Sequence, residues 1–555
     1  METKLRKFLL IILAVLANMH LATAQNMSRW VEFTVQPGNY MRIDFIVSEA
    51  NTPIRVISGA TDTTLIASTQ WPYYPSIDFS YYADSTSMRV YGDIIGLDCR
   101  YNYANLTGID ILNNTILTEL LCLGNNIASI DLSNATALID LICGNNSLAS
   151  LDVSGATALE SLSCPDNILT SLNVSGATNL KFIDCKNNKL TSLNLTGPAA
   201  LEEIDCSNNI FTSFNFSGLT SLKVLICRYN GFTSLNVSNL SSLKYLDCSY
   251  NNIASLDIGG LSALEHLDCS YNNLTSLDIN GFNFLKSIKC NNNSLTSLNI
   301  SEATGLESLL CNDNSLATLD LSGLSSIKSL DCQKNNLTSL DVGGLSELTN
   351  LACNDNSLTS IDINDLTSLY NLKCQKNNLT SLDVSKLTKL RSLTCYDNSF
   401  STQALDQIYC DLPIILAGVG GWIFPIYDAS SSNYATVMAT NSQNAIDRSW
   451  SVRYGSNSAN IPATTGTYEC ETSISINDFA ETNIYPNPVS DILYINTDSQ
   501  IKSIELYDTF GRLVLNRTNI ADTESSINVS SLPSGVYVLR LGTTKGSKDY
   551  RVIKQ

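Results

Sequence analysis

The chain has 555 residues, 33 basic and 52 acidic, for a formal charge of −19. That balance argues against nucleic acid and anionic membrane as partners, because counterion release needs clustered Lys and Arg. Its two histidines, His20 and His266, are too few for Ser-His-Asp, Cys-His or multi-histidine metal chemistry, so no catalytic residue, metal ligand or cofactor is expected.

In chain order, Lys4, Arg6 and Lys7 precede an apolar run from Phe8 to Ala17 and a small-residue site at Ala22-Thr23-Ala24, the pattern of an export signal over residues 1–24. Its removal takes away three basic residues and one acidic one, so the charge becomes −21 and His266 is the histidine left. No later segment approaches the roughly 20 apolar residues of a membrane helix. Residues 25–93 alternate apolar with polar in "WVEFTVQ", "YMRIDFIV", "PIRVIS" and "SMRVYG", which predicts a small β domain capping the first turn of a repeat.

That repeat occupies residues 94–400. Cysteines stand at Cys122, Cys143, Cys164, Cys185, Cys206, Cys227, Cys248, Cys269, Cys290, Cys311, Cys332, Cys353, Cys374 and Cys395, an unbroken step of 21, with Cys99 ahead of them by 23. Apolar residues lie five and two before each cysteine and, from Cys122 to Cys374, five, eight and ten after it, and asparagine lies three after it in all fifteen turns. The unit, L-x-x-L-x-C-x-x-N-x-L-x-S-L-[DN]-[VIL], predicts a right-handed leucine-rich-repeat solenoid, mainly β, with short parallel strands about 4.8 Å apart lining a concave sheet. Parallel strands keep stacked Cβ atoms too far apart for disulfides, and single cysteines lack the short pairs of a zinc site. The ladder is therefore expected to hold buried free thiols packed as small hydrophobes, and the asparagines to satisfy backbone groups where the chain leaves the strand.

Alternation along each strand aims positions minus three, minus one, plus one and plus two at the concave surface. There, Tyr229, Tyr250 and Tyr271 fall on three consecutive turns, with Tyr245, His266, Asp247, Asp268 and Arg228 beside them. Stacked tyrosines with a rim of charge suit a protein or glycan contact, although duplication of one tyrosine-bearing unit would produce the same column. An Asp/Asn column at plus nine offers about one oxygen donor per turn, too few for calcium, and is expected to serve turns.

In residues 401–478, "STQALDQIYCDLP" has a Ser401 or Thr402 cap, apolar Leu405, Ile408 and Tyr409, and a stop at Pro413. It predicts a short helix closing the last turn, followed by a β-like stretch to about Ser475. Cys410 and Cys470 stand off the ladder as a possible disulfide. Residues 479–555, with "NIYPNPVSDILYI", "IKSIELYDTFGRLVLN" and "LPSGVYVLRL", predict a β-sandwich.

On these motifs the repeat resembles leucine-rich repeats of the internalin J kind, whose members are surface proteins used in adhesion. The last segment resembles the type A C-terminal sorting domain of the Bacteroidetes type IX secretion system at Tyr485, Pro486, Asn487, Pro488, Gly511, Gly535, Tyr537, Arg551 and Lys554. The resemblances imply passage to the outer-membrane surface or beyond through the type IX machinery, and a non-enzymatic role binding a protein or glycan on host or bacterial cells. The alternatives are a structural component of a surface layer or biofilm matrix, and an enzyme with its site in 401–478.

Overall fold

A computed structural model describes residues 26–50, 52–71, 80–415, 420–470, 482–508, 512–544 and 546–555. The expected export signal lies outside these residues. The chain divides into two compact units, Met1–Tyr468 and Glu469–Gln555, each with its own apolar core.

In the first unit one three-residue strand per turn pairs in parallel, residue for residue, with its equivalent in the next turn. Thus Tyr245, Leu246 and Asp247 pair with His266, Leu267 and Asp268. The period of two sends Leu246 and Cys248 inward on each side of Asp247. All fifteen ladder cysteines are buried free thiols, and loss of solvent pushes their titration up, to about 12 at Cys353 and Cys395.

The asparagine column does more than close its own turn. The Asn251 amide donates to the carbonyls of Cys248 (3.1 Å), Ser249 (3.2 Å) and, in the preceding turn, Cys227 (3.1 Å), while its Oδ1 accepts the backbone N–H of Phe232 (3.2 Å). The pattern recurs at Asn167, Asn188, Asn272 and Asn377. At plus nine, Asp131, Asp152 and Asp383 accept the N–H two residues on, closing turns as expected. One position outside the strand, a column of mixed charge links turns: Lys181 to Glu160, Lys223 to Glu202, Lys244 and Lys286 to Glu265, and Lys328 to Glu307, at 2.7–3.1 Å.

Both ends of the solenoid core are covered. At the start, Asp44–Val47 pairs antiparallel with Ile94–Asp98, which pairs in parallel with the strand of the next turn, Glu119–Leu121. A five-stranded antiparallel sheet completes this cap. At the other end the helix Thr402–Asp411 forms as predicted. Its Ser401 hydroxyl accepts the N–H of Ala404 (3.1 Å), and it buries Leu405, Ile408 and Tyr409. Strands Gly421–Ile426 and Trp450–Tyr454 then extend the long sheet in parallel. Between them the expected β-like stretch includes two short helices, Tyr434–Met438 and Gln443–Ile446, each too short to show periodicity in the sequence.

The second unit is antiparallel. Two 16-residue strands, Ile492–Tyr507 and Leu513–Asn528, run through it, and all five strands share one hydrogen-bonded network. Asn487 ties its first loop to the last strand, donating to the carbonyl of Arg551 (2.7 Å) and accepting the N–H of Ile553 (2.8 Å). No helix among the described residues is long and apolar enough to cross a membrane.

Candidate ligand-binding face

Leaving each strand, the chain turns through a left-handed residue at plus two. This holds in all fifteen turns: φ is 49° to 59° at the fourteen non-glycine residues and 75° at Gly124. The turn brings the following asparagine back over the cysteine carbonyls. Gly, Asn and Asp suit such a φ, whereas a bulky side chain without a local hydrogen bond to the backbone is disfavoured. Nine turns comply, with Asn145, Asp166, Asn187 and Asn208 among them, but Tyr101, Tyr229, Tyr250, Tyr271, Lys334 and Lys376 do not.

Tyr229, Tyr250 and Tyr271 form a continuous stack. Ring centroids are 4.2 Å apart between Tyr229 and Tyr250 and 4.1 Å between Tyr250 and Tyr271, with planes 13° and 9° from parallel. Each ring is still 37–43% exposed, so the rings cover one another's faces and present their edges to solvent. The bond between hydroxyls, first to Tyr271, pushes Tyr250 up to about 12.

The other residues singled out in the sequence occupy the same turns. Tyr245 and His266 meet at 6.1 Å. Asp247 and Asp268 are less available than strand alternation predicts. Each accepts the N–H and hydroxyl of the serine two residues on, and both Asp247 (5% exposed) and Ser249 (3%) are buried. Burial raises Asp247 above the usual carboxylate range, against the lowering effect of the Ser249 bonds. Arg228 lies 4.0 Å from Asp247, and Lys289 lies 3.3 Å from Asp268. The patch therefore offers phenol edges between two ion pairs and has little free charge.

Among the described residues no group of three or more His, Cys, Asp or Glu is arranged to hold a metal. Within 401–478, Asp406 and Asp411 are both raised by burial, and Asp406 is committed to the backbone N–H of Asn441 at 2.7 Å. Cys410 and Cys470 are both disulfide-bonded. Sequence reasoning did not bring together Trp422, Phe424 and the guanidinium of Arg453 in the C-terminal cap, because their face is assembled from strands about thirty residues apart that carry no repeat signature.

Comparison with known families matches residues 241–280 to leucine-rich repeats and residues 483–555 to the secretion system C-terminal sorting domain. Solved structures similar to the chain include three bacterial proteins. The functional domain of InlJ from Listeria monocytogenes, which includes a cysteine ladder, is 22% identical over 85% of this chain and 94% of that one, with TM-score 0.47. A leucine-rich-repeat protein of Leptospira interrogans is 24% identical over 54% and 78%, with TM-score 0.46. YopM from Yersinia enterocolitica is 25% identical over 51% and 70%, with TM-score 0.38. Comparison with curated proteins gives no match.

The parallel sheet, the 21-residue register and the repeat match define a leucine-rich-repeat solenoid of the cysteine-ladder kind. Its C-terminal sorting domain makes it a type IX secretion cargo, carried to the cell surface or the extracellular space.

Proposed function

We propose that this exported solenoid is a non-enzymatic binding protein that uses the sheet face around Tyr250 to hold a protein or glycan on host or bacterial cells. The observation that carries the reading is the tyrosine stack. At a backbone conformation that suits Gly, Asn and Asp, three successive turns carry exposed tyrosines instead. Side chains held in disfavoured backbone regions cluster at ligand clamps and active sites. Tyrosine also offers a large contact area and a hydroxyl at low entropy cost.

The test is binding of the exported chain to host-cell, matrix and glycan panels, beside a variant with Tyr229, Tyr250 and Tyr271 changed to Ser. Saturable binding that disappears in the variant, whose melting transition is intact, supports the reading. Binding that survives moves the site away from the stack. No binding to any panel favours a structural role in a surface layer or matrix.

A further inference from the structure

The face of the long sheet changes character along its length. Up to Asp331 its minus-one column is rich in acid, with Asp184, Asp205, Asp247 and Asp268. Beyond Asp331 the paired positions are Ala352, Lys373, Thr394 and Phe424, and the minus-three column runs Asn350, Asn371, Ser392, Trp422 and Ser451. No carboxylate occurs in either series. These two columns carry Lys373, with Arg453 on the last strand, among amide, hydroxyl and aromatic side chains, while the plus-two column beside them holds Asp355, paired with Lys376 at 3.4 Å, and Asp397.

Its focal point is Arg453. The guanidinium lies over the Trp422 ring, 5.8 Å from the centroid, and its Nε is buried without a hydrogen-bond acceptor. A buried donor left unmatched is costly, and a guanidinium is shaped to receive a carboxylate through two parallel bonds. Trp422 is 40% exposed beside it, with Phe424 two residues further along the same strand and therefore on the same face.

We propose that this end of the sheet is a second binding surface, separate from the tyrosine stack, that takes a carboxylated polysaccharide. Arg453 and Lys373 receive its carboxylates, Trp422 and Phe424 seat a sugar ring, and Asn371 and Ser392 bond its hydroxyls. The neutral hydrogen-bonding groups around the cations favour a hydroxyl-rich chain over an acidic peptide. Binding by charge at an exposed face weakens as salt rises.

The experiment is titration of the exported chain with oligogalacturonate, its fully methyl-esterified form and poly-glutamate, followed by calorimetry and tryptophan fluorescence. The expected result is saturable, salt-sensitive binding of oligogalacturonate, at least tenfold weaker for the ester. Arg453→Gln and Lys373→Gln each weaken it severalfold, Trp422→Ala abolishes it, and the triple tyrosine variant leaves it unchanged. Melting curves show that the variants fold. The proposal is overturned if oligogalacturonate does not bind, if the ester or poly-glutamate binds as tightly, or if folded Arg453→Gln and Lys373→Gln variants bind like the parent. Loss of binding in the tyrosine variant alone overturns the separateness of the two surfaces.

Discussion

Two columns of the solenoid, adjacent in every turn, follow opposite rules. At plus three the residue is always asparagine, because one amide closes bonds to its own turn and to the turn before it. At plus two only the backbone is fixed: every turn is left-handed there, yet glycine, asparagine, aspartate, lysine and tyrosine all occupy it. Repetition at the first column therefore reports architecture. Departure from the easiest residue at the second, at the tyrosines, is the ground on which the stack is proposed as a recognition surface.

The strongest way to break that contrast is Asn251→Ala. It leaves the N–H of Phe232 without its acceptor and removes one of the two amide donors from each of the carbonyls of Cys227 and Cys248, which keep Asn230 and Asn272. At about 1–3 kcal/mol for the unsatisfied N–H and about 1 kcal/mol for each of the two lost carbonyl bonds, the loss is on the order of 3 kcal/mol, read from the denaturant midpoint. Cys248→Ser comes next. It puts a hydroxyl into an apolar column for about 1–3 kcal/mol, whereas in the folded parent none of the fifteen ladder thiols reacts with maleimide at neutral pH until denaturant is added.

A smaller effect is expected at Asp247. Burial holds its folded carboxyl above the ordinary 3.8, so the folded protein takes up that proton more readily than the unfolded chain. Its contribution to stability therefore rises as pH falls through the raised value toward 3.8. Asp247→Asn removes that slope, and thermal melts across mildly acidic pH should show the parent and the variant converging as pH falls. The smallest effect sharpens the contrast most. Tyr250→Asn, which gives plus two a residue suited to its φ, is expected to leave the melting temperature unchanged or slightly raised while the binding assigned to the stack is lost.

Much of this was legible in the sequence because a period of 21 repeats its information many times over. Cysteine and leucine positions define the inward face, and asparagine marks the turn. The helix after Ser401 showed its cap and its spacing. The left-handed backbone at plus two was hidden by the tyrosines and lysines themselves, which signal no such conformation. The burial of Asp247 was hidden because strand alternation predicts direction and not the cover given by Ser249. The pairing of Arg453 with Trp422 was illegible because the two become neighbours only when the two cap strands pair in parallel.

The column of charge beside the strands bears on how a chain of near-identical units finds its order. Such a chain risks looping one unit out and closing on the next but one, where leucines, cysteines and asparagines would all match. Here Glu160 would then meet Glu202, Lys181 would meet Lys223, and Glu265 would meet Glu307. Like charges set opposite one another destabilise a pairing that the apolar core alone would accept. The column thus works as a proofreading mark over part of the solenoid, contributing little to any one turn; at Lys223 and Lys244 two like charges are adjacent, and there a skipped unit would set Glu202 against Lys244 without penalty.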